Sequence, residues 1–520
     1  MTSHRGDLAR LVTVSRGPLR KPWKNCIAVG RAYDLLRDDL LSHLDWLQKE
    51  VGFRSSRFHA VFHDDVGIVK KTRDGQIYYC WNQLDKIYDA LLARGLRPFV
   101  ELNPMPAALA SGPARIMHYN MNVSPPAKWE AWGELVEAFA RHLVERYGIE
   151  EIRQWNFEVW NEPNLSAFWS GTKEDYFRLY ETAAWALKRV DSTLKIGGPA
   201  SSKAHWLGDL IAYCHANRVP LDFISTHLYP QDEQVEAGQG KSPYAPGEFF
   251  REMFLGVQKL VRSSAMPDLP IHWTEWNTQS AADSAGITWF DNEACDNAYG
   301  GAFVARQCLE LDATCETMAF WVASDVFEEH PIQPAPFSAT YGIVTIDGVP
   351  KAAANAFRLL NRLRGNVVAE VFDAPLGCGG AVTQEGAVTH ALFYNCQPPS
   401  EKNPGDWLTT FALPAVAGDR LITRLFVGPE AGSPYEWWCR IGRPMHLSSA
   451  QLAAMRQIAE PKSETWLEKS GDEPCRLAVD LPANTFAYFE IRPAEPSAPR
   501  KSEWADLKLI EEELGELSRE

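Results

Sequence analysis

Two glutamates at the ends of strand-like runs are the first candidates for chemistry in this sequence. Glu162 follows the run WNFEVW, and Glu275 lies within IHWTEW, residues 271–276. Each has an asparagine within two residues, Asn161 and Asn277 respectively. Two carboxyl groups that reach one ligand can cleave a glycosidic bond, because one protonates the leaving oxygen while the other attacks or activates water. Chemistry of this kind needs neither a metal ion nor an organic cofactor.

The elements that would bring these glutamates together form a repeating pattern between about residues 25 and 364. Short apolar runs alternate with stretches whose apolar residues recur at helical spacing. The predicted strands cover residues 25–29, 56–62, 97–102, 155–160, 194–200, 221–229, 271–276 and 317–323. Eight such units, with no G-x-G-x-x-G after the first strand, favour a (β/α)8 TIM barrel over an open doubly wound sheet. In that barrel the fourth and seventh strands face each other, so both glutamates can reach one ligand.

Active sites of such barrels lie at the carboxyl ends of the strands, where this sequence places further polar and aromatic side chains. These are Arg57, His59, Asn161, His227, Tyr229 and Trp321, followed by Asp325, Glu328 and Glu329 in the last loop. A single polar residue at a strand end is more often structural than catalytic. Arg57, for example, could simply neutralise buried carboxylates. The presence of two glutamates in Trp-rich strand ends favours the functional interpretation.

A pair of catalytic carboxyls needs two different pKa values. Trp155, Trp160 and Pro163 are expected to surround Glu162 with apolar groups, which would raise its pKa and keep it protonated. For Glu275, the expected hydrogen-bond donors are Arg57, Tyr229 and Asn277, which would keep that carboxyl charged.

The pattern changes after Gly365 to period-two strands separated by Pro and Gly, which predicts an accessory antiparallel β-sandwich over residues 365–495. The strand-like residues 10–14 lie outside the barrel count. We therefore assign residues 1–15 to a strand that joins the sandwich and residues 16–364 to the barrel. Residues 496–520 read as an acidic amphipathic helical tail, which is a candidate contact for self-association.

Composition excludes several classes of partner. The formal net charge of −15 opposes binding to a nucleic-acid backbone, and no run of 18 apolar residues suggests a membrane span. The ten cysteines show neither a C-x-x-C pair nor zinc-ligand spacing, and His59, His63 and His227 are too sparse for a metal-dependent hydrolase. The first residues show no apolar core of a signal peptide, so we expect a cytoplasmic protein with reduced thiols.

Four motifs of the sequence together resemble a known family. FEVWNEPN, THLYP, HWTEWN and FWVASDVFEEH together are similar to glycoside hydrolase family 39, which includes β-xylosidases and α-L-iduronidases. The likeness extends from WKNCIAVGRA, residues 23–32, to GIVTIDGVPKAAANAF, residues 342–357, and so covers the whole barrel. It implies a retaining mechanism on a (β/α)8 barrel with a small accessory β-sandwich.

The resemblance also implies roles for individual residues. Glu162 would be the general acid/base and Glu275 the nucleophile that forms a glycosyl-enzyme. Asn161 would bond the 2-hydroxyl of the substrate, and Tyr229 would orient Glu275. The rest of the sugar subsite would be formed by His227, His59 and Arg57 along its wall and by Trp321 and Glu328 around the far hydroxyls.

The expected substrate is a short β-1,4-linked xylo-oligosaccharide, trimmed from its non-reducing end. An iduronide differs chiefly by a carboxylate at carbon five, which would need a spare cation, whereas the last loop offers Asp325, Glu328 and Glu329. An α-L-iduronidase or α-L-arabinosidase-like activity remains an alternative. A non-catalytic sugar-binding barrel is another, although it would be expected to lack one of the two glutamates.

Overall fold

The computed structural model describes residues 4–5, 9–230, 232, 248–279, 293–329, 335–397, 405–469 and 474–494. Its strands are β1 (His4–Arg5), β2 (Arg10–Pro18), β3 (Ile27–Arg31), β4 (Ser55–His59), β5 (Val69–Lys71), β6 (Ile77–Tyr79), β7 (Arg97–Leu102), β8 (Arg115–Ile116), β9 (Met121–Asn122), β10 (Asn156–Val159), β11 (Lys195–Ser201), β12 (Phe223–Leu228), β13 (Ile271–Trp276), β14 (Thr317–Phe320), β15 (Asn366–Phe372), β16 (Cys378–Glu385), β17 (Val388–Asn395), β18 (Trp407–Ala417), β19 (Arg420–Val427), β20 (Lys462–Glu468), β21 (Pro474–Leu481) and β22 (Thr485–Pro493).

The helices within the same ranges are α1 (Asp38–Glu50), α2 (Asn82–Leu92), α3 (Trp129–Tyr147), α4 (Ile149–Ile152), α5 (Lys173–Val190), α6 (Leu207–Asn217), α7 (Phe249–Arg262), α8 (Ala298–Glu310), α9 (Ala352–Asn361), α10 (Pro434–Arg440) and α11 (Ser449–Ile458). Of the helices in the described ranges, none is both long enough and apolar enough to span a bilayer.

Eight parallel strands close into a barrel in the order β3, β4, β7, β10, β11, β12, β13, β14. Helices of the outer layer follow the strands and bury the apolar positions that the sequence spaces at three and four residues, such as Leu40, Leu44 and Leu47 of α1. The predicted (β/α)8 barrel is therefore confirmed. β7 and β13 have the bounds expected from sequence, whereas β4 ends at His59, because Ala60 turns the chain with a positive φ of 68°.

A two-layer antiparallel sandwich follows the barrel, as predicted. One layer has seven strands in the order β2, β15, β16, β17, β22, β19, β20, and the other contains β1, β18 and β21. Phe393 of β17 stacks on Phe411 of β18 with ring centroids 5.2 Å apart, and both rings are buried between the layers. Alternating side chains of both sheets thus form one core.

The N-terminal segment contributes to both layers of the sandwich. β2 pairs antiparallel with β15, so that Val12 lies opposite Glu370, and β1 pairs with β18. β2 extends to Pro18, three residues beyond the boundary of 15 expected from sequence. The acidic tail at 496–520 lies outside the described residues.

Two helices, α10 and α11, interrupt the sandwich between β19 and β20 and were not expected from the period-two pattern. Trp438 of α10 and Met455 of α11 pack with Phe337, which belongs to the segment between β14 and α9 of the barrel. The sequence does contain a signal for α11, because Ser448 and Gln451 form a capping box at its start. These helices fasten the sandwich to a barrel loop.

Candidate active site

Arg57 and His59 reach the barrel interior because they are two residues apart on β4, and side chains alternate between the two faces of a strand. Between them, Phe58 points outward and packs on Tyr88 of α2 with ring centroids 6.0 Å apart. Arg57 is completely buried and His59 is 2% exposed. Both polar side chains therefore depend on partners inside the barrel.

Glu162 is presented by a turn in which the chain leaves β10. Trp160 has φ of 71° and Glu162 has φ of 43°, left-handed conformations that cost about 1 to 3 kcal/mol each and persist only when the surroundings fix them. The indole of Trp160 donates to the Phe168 carbonyl at 2.8 Å and packs on Trp169. The amide of Glu162 donates to the Ala200 carbonyl, also at 2.8 Å. These contacts hold the Glu162 carboxyl at the barrel mouth.

The two glutamates predicted from sequence meet at this mouth. One carboxyl oxygen of Glu162, one of Glu275 and one ring nitrogen of His227 all lie within 4.8 Å of one another. Nδ1 of His227 is 3.0 Å from Oε1 of Glu162 and 3.6 Å from Oε2 of Glu275. A ligand atom at the mouth can therefore contact both carboxyls.

Glu275 is held by donors at both oxygens. Nη1 of Arg57 donates to Oε1 at 2.8 Å, and the hydroxyl of Tyr229 donates to Oε2 at 2.8 Å. Nε2 of His59 lies 3.8 Å from Oε1. Charge-assisted hydrogen bonds of this kind favour the ionised carboxylate and fix its orientation.

The surroundings of Glu162 and Glu275 favour different protonation states for the two carboxyls. Burial raises the pKa of Glu162 well above its ordinary value, and the nearby charge of Glu275 raises that pKa further. Burial also raises the pKa of Glu275, but Arg57, His59 and the Tyr229 hydroxyl act against that rise. Because like charges so close together oppose simultaneous ionisation, the pair holds one proton, and that proton resides on Glu162.

Glu162, His227 and Glu275 lie close enough together to hold a cation. The hydrogen bonds of His227 nevertheless place a proton on the nitrogen that a metal ion would need. Nη2 of Arg57 lies 3.4 Å from Nε2 of His227. A guanidinium only donates, so Nε2 must be the accepting nitrogen and the imidazole proton is on Nδ1, the atom that would have to bind the metal. Burial also lowers the pKa of His227 well below its usual value, which keeps the ring neutral.

Asn161 and Trp321 complete the set that the structure brings together around this pair. Oδ1 of Asn161 accepts from Nη2 of Arg57 at 2.9 Å, so its amide group points away from the guanidinium. The indole of Trp321 is 1% exposed and lies 4.4 Å from the His59 ring, between centroids. Eight of the nine residues proposed from sequence are thus linked through direct contacts: Arg57, His59, Asn161, Glu162, His227, Tyr229, Glu275 and Trp321.

Glu328, the ninth, has its described contacts elsewhere. Its Oε2 accepts from Nη2 of Arg31 at 2.5 Å, and Arg31 also pairs with Asp34 and Asp65. The guanidinium of Arg31 therefore joins the end of β3 to the loops that follow β4 and β14. Glu328 is a partner of this clamp, and its contact with the far hydroxyls of the sugar stays a prediction. The next residue, Glu329, interacts electrostatically with Glu275 and Glu162.

Two expectations about neighbours of the glutamates were wrong. Asn277 does not bind Glu275, because the chain leaves β13 at Trp276 and the Asn277 amide donates to the carbonyls of Trp321 and Tyr341. Trp155 does not surround Glu162, because it precedes β10 and lies at the opposite end of that strand. Its indole donates to Glu151 at 3.0 Å.

Asp325 also has a structural role rather than a place beside the sugar. Its Oδ2 lies 2.8 Å from Nζ of Lys351, and its Oδ1 accepts from the Gly342 amide at 2.9 Å. Lys351 is completely buried and also contacts Asp296 at 2.6 Å. Asp325 therefore fixes the loop behind the site.

Sequence reasoning missed two further carboxyls, which lie beneath Glu162 and Glu275. Glu101 of β7 and Glu158 of β10 point into the barrel and contact Arg57 at 2.7 and 2.6 Å. The available signal was a glutamate in the middle of an apolar strand, as in RPFVEL and WNFEVW. A buried acid of this kind needs a partner, and Arg57 was the only inward-facing cation expected from the strand ends.

Known proteins resemble this chain over most of its length. The sequence model of the family described as "Glycosyl hydrolases family 39" matches residues 12–473. A β-xylosidase of Geobacillus stearothermophilus is 34% identical and covers 92% of this chain and 94% of its own length. Human α-L-iduronidase is 30% identical over 80% of this chain and 67% of its own. A monomeric β-xylosidase from Caulobacter crescentus has a TM-score of 0.81 at 30% identity, covering 92% and 98% of the two chains.

Proposed function

Because the chain belongs to glycoside hydrolase family 39 and is a glycoside hydrolase, we propose that it is a retaining exo-β-xylosidase. The proposed substrates are short β-1,4-linked xylo-oligosaccharides, from which terminal xylose is released at the non-reducing end. The observation that carries this proposal is the pair Glu162 and Glu275, whose carboxyl oxygens lie within 4.8 Å, with hydrogen-bond donors holding Glu275 while burial and the Glu275 charge favour a proton on Glu162.

The spacing of the carboxyls supports double displacement. Retaining enzymes place the two groups about 5 to 5.5 Å apart, whereas inverting enzymes leave about 6.5 to 9.5 Å for a water molecule between base and sugar. At 4.8 Å or less between oxygens, Glu275 can attack the anomeric carbon directly. Glu162 would protonate the departing glycosidic oxygen in the same step.

The second step, hydrolysis of the glycosyl-enzyme, uses the same two glutamates after Glu162 has lost its proton. Once Glu162 has given up its proton, it is a carboxylate that can remove a proton from water as the water attacks the anomeric carbon. The bond between that carbon and Glu275 breaks, and Glu275 recovers its negative charge beside Arg57 and Tyr229. Two displacements at one carbon give net retention of configuration.

His227 and Asn161 have supporting roles in this scheme. The Nδ1–H of His227 faces Oε1 of Glu162, which leaves Oε2 of that carboxyl to carry the transferable proton. Arg57 binds the Asn161 carbonyl oxygen and so directs its amide toward the ligand side, where it would bond the 2-hydroxyl of the sugar.

The charge of the mouth favours a neutral sugar over a uronic acid. Two arginines on β3 and β4 are already engaged: Arg57 contacts three carboxyls and Arg31 contacts three more. Glu329 adds another acid beside Glu275. A carboxylate at carbon five would be repelled here, whereas xylose carries no substituent at that carbon. The named β-xylosidase relatives support the same choice.

The thiols support the proposal that this enzyme acts in the cytoplasm on imported oligosaccharides. None of the ten cysteines forms a disulfide, and seven of them are buried. Thiols in this number without a disulfide are typical of a reducing compartment.

A panel of 4-nitrophenyl glycosides tests the proposal. β-D-xyloside is expected to be hydrolysed fastest, ahead of α-L-iduronide, the α-L-arabinosides and β-D-glucoside. Proton NMR of the first product should show β-xylose before it mutarotates. Faster hydrolysis of the α-L-iduronide would contradict the proposed β-xylosidase and indicate an α-L-iduronidase. α-Xylose as the first product would contradict double displacement.

A further inference from the structure

The buried cation beneath the glutamate pair contacts three carboxyls but directs a hydrogen bond to only two of them. Arg57 donates through Nε to Glu158 at 2.6 Å and through Nη1 to Glu275 at 2.8 Å. Its Nη2 hydrogens are directed to Asn161 and His227. Glu101 lies 2.7 Å from Nη2, but both hydrogens of that nitrogen are already directed elsewhere.

Glu101 is therefore the third carboxyl beside one positive charge. It is 1% exposed, and a buried carboxylate that shares one cation with two other carboxylates is strongly disfavoured relative to the neutral acid. Glu158, by contrast, also receives a hydrogen bond from the Thr274 hydroxyl at 2.8 Å. Of the three carboxyls beside this one cation, Glu101 is therefore the one that best retains a proton.

The surroundings of Glu101 agree with that assignment. The charged and titratable groups that face it are Arg57 and His59 of β4, Glu158 of β10, Glu275 of β13 and Tyr119 of the loop after β7. Burial raises the pKa of Glu101 well above its ordinary value and the charge of Glu158 raises it further, although the Arg57 charge and the Asn103 side chain act in the lowering direction.

His59 connects Glu101 to the nucleophile. Its Nδ1 lies 3.0 and 2.9 Å from the two oxygens of Glu101, and its Nε2 lies 3.8 Å from Oε1 of Glu275. Burial lowers the pKa of His59 to about 3, so the ring is neutral and carries one proton. Which nitrogen holds that proton depends on whether Glu101 donates or accepts.

We propose that Glu101 is a positioning residue for the reaction proposed above: it stays protonated, donates to Nδ1 of His59, and so places the His59 proton on Nε2, facing Glu275. An ionised Glu101 would reverse the tautomer and turn a lone pair toward the nucleophile. The Nε2–H instead adds a donor beside Oε1, which stabilises Glu275 when it leaves the glycosyl-enzyme as a carboxylate. The proton of Glu101 is not transferred in either step.

Matched amide substitutions test this inference, which rests on the proposed function only for its activity measurements. Glu101→Gln keeps the shape and neutrality of the acid and can still donate to Nδ1, so kcat should stay within about threefold of the unmodified enzyme. Glu158→Gln removes a carboxylate that receives two hydrogen bonds, one of them from Arg57. It should lower kcat by about 100-fold, because Arg57 and Glu275 would shift.

Infrared difference spectroscopy at neutral pH supplies a readout that does not require turnover. Glu162 and Glu329 also hold protons at this pH, so the carbonyl stretch of protonated carboxyls should lose the contribution of one group in Glu101→Gln and keep its full intensity in Glu158→Gln. An unchanged band, a Glu101→Gln variant that does not fold, or a loss of kcat as large as that in Glu158→Gln would each overturn the assignment. Absence of xyloside turnover in the unmodified enzyme would instead refute the proposed function and leave the spectroscopic result valid.

Discussion

Two fully buried cations in this barrel, Lys351 and Arg57, have opposite relations to their carboxyl partners. Lys351 contacts Asp296 at 2.6 Å and Asp325 at 2.8 Å. Each of these carboxylates also accepts a backbone amide hydrogen, from Ala339 at 2.7 Å and Gly342 at 2.9 Å. Main-chain donors therefore share in neutralising this cluster, which lies behind the mouth and joins the loop after β14 to the start of α8.

The Arg57 cluster is built from side chains and opens to the mouth. One guanidinium serves Glu101, Glu158 and Glu275, while Glu162 lies within reach of Glu275. Burial raises the pKa of Glu162, and the excess of acids over cations around it raises that pKa further, so its proton is retained for transfer. The comparison suggests that backbone donors make a buried ion cluster structural, and that a surplus of acids beside a solvent-accessible opening makes one catalytic.

The largest expected effect comes from removing one carboxyl from each cluster. Glu275→Ala should lower kcat/KM by about 10⁴-fold, because the group that attacks the anomeric carbon is lost. Asp325→Ala should keep most activity in its folded fraction and instead lower the melting temperature. Steady-state kinetics on a β-xyloside and thermal unfolding of both variants check the pair. Equal losses of activity in the two folded variants would remove the distinction between the clusters.

Removing the buried cation Lys351 should destabilise the fold. Lys351→Met leaves two carboxyls buried without their partner, so the free energy of unfolding should fall by about 3 to 5 kcal/mol. Lys462→Met is a suitable control, because Lys462 and Glu464 form an exposed pair whose loss should change that free energy by about 1 kcal/mol or less. Urea denaturation measures both. A Lys351→Met variant as stable as the control would contradict a structural role for the cluster.

A smaller effect should appear in the pH dependence of stability. Burial, and then the charge of Glu275, raises the pKa of Glu329 from 4.5 to about 8. Between these values the unfolded chain loses the proton while the folded chain keeps it, so the stabilising contribution is complete below 4.5 and is lost as pH rises toward about 8. Glu329→Gln should flatten that decline, as measured by urea midpoints across the interval.

A control and a contrary outcome sharpen the prediction for Glu329. Glu328→Gln changes the adjacent residue and weakens its hydrogen bond to Arg31, so it should lower stability near neutral pH without flattening the decline. An unaltered slope in Glu329→Gln would show that Glu329 does not share the acidic excess around Arg57.

The barrel and the meeting of its two glutamates were predictable because they depend on local patterns. Strands such as 97–102 and 271–276 are continuous apolar runs, and alternation along β4 turns both Arg57 and His59 inward. Glu162 and Glu275 follow from the same periodicity, since both occur where a strand ends at the mouth. α10 and α11 were missed because a helix pair inserted into a sheet leaves the surrounding period-two pattern unchanged.

The sequence by itself determined which side chains enter the barrel and at which end of each strand they lie, because both follow from the alternation of a single strand. Only the tertiary structure decided how those side chains pair. Glu328 turned to Arg31, Asn277 to the carbonyls of the last loop, and Asp325 to Lys351. Glu101 and Glu158 entered the site from strands that showed no motif. Partners in a closed barrel come from distant strands, and the hydrogen-bond directions of one guanidinium determine which acids are neutralised and which retains a proton.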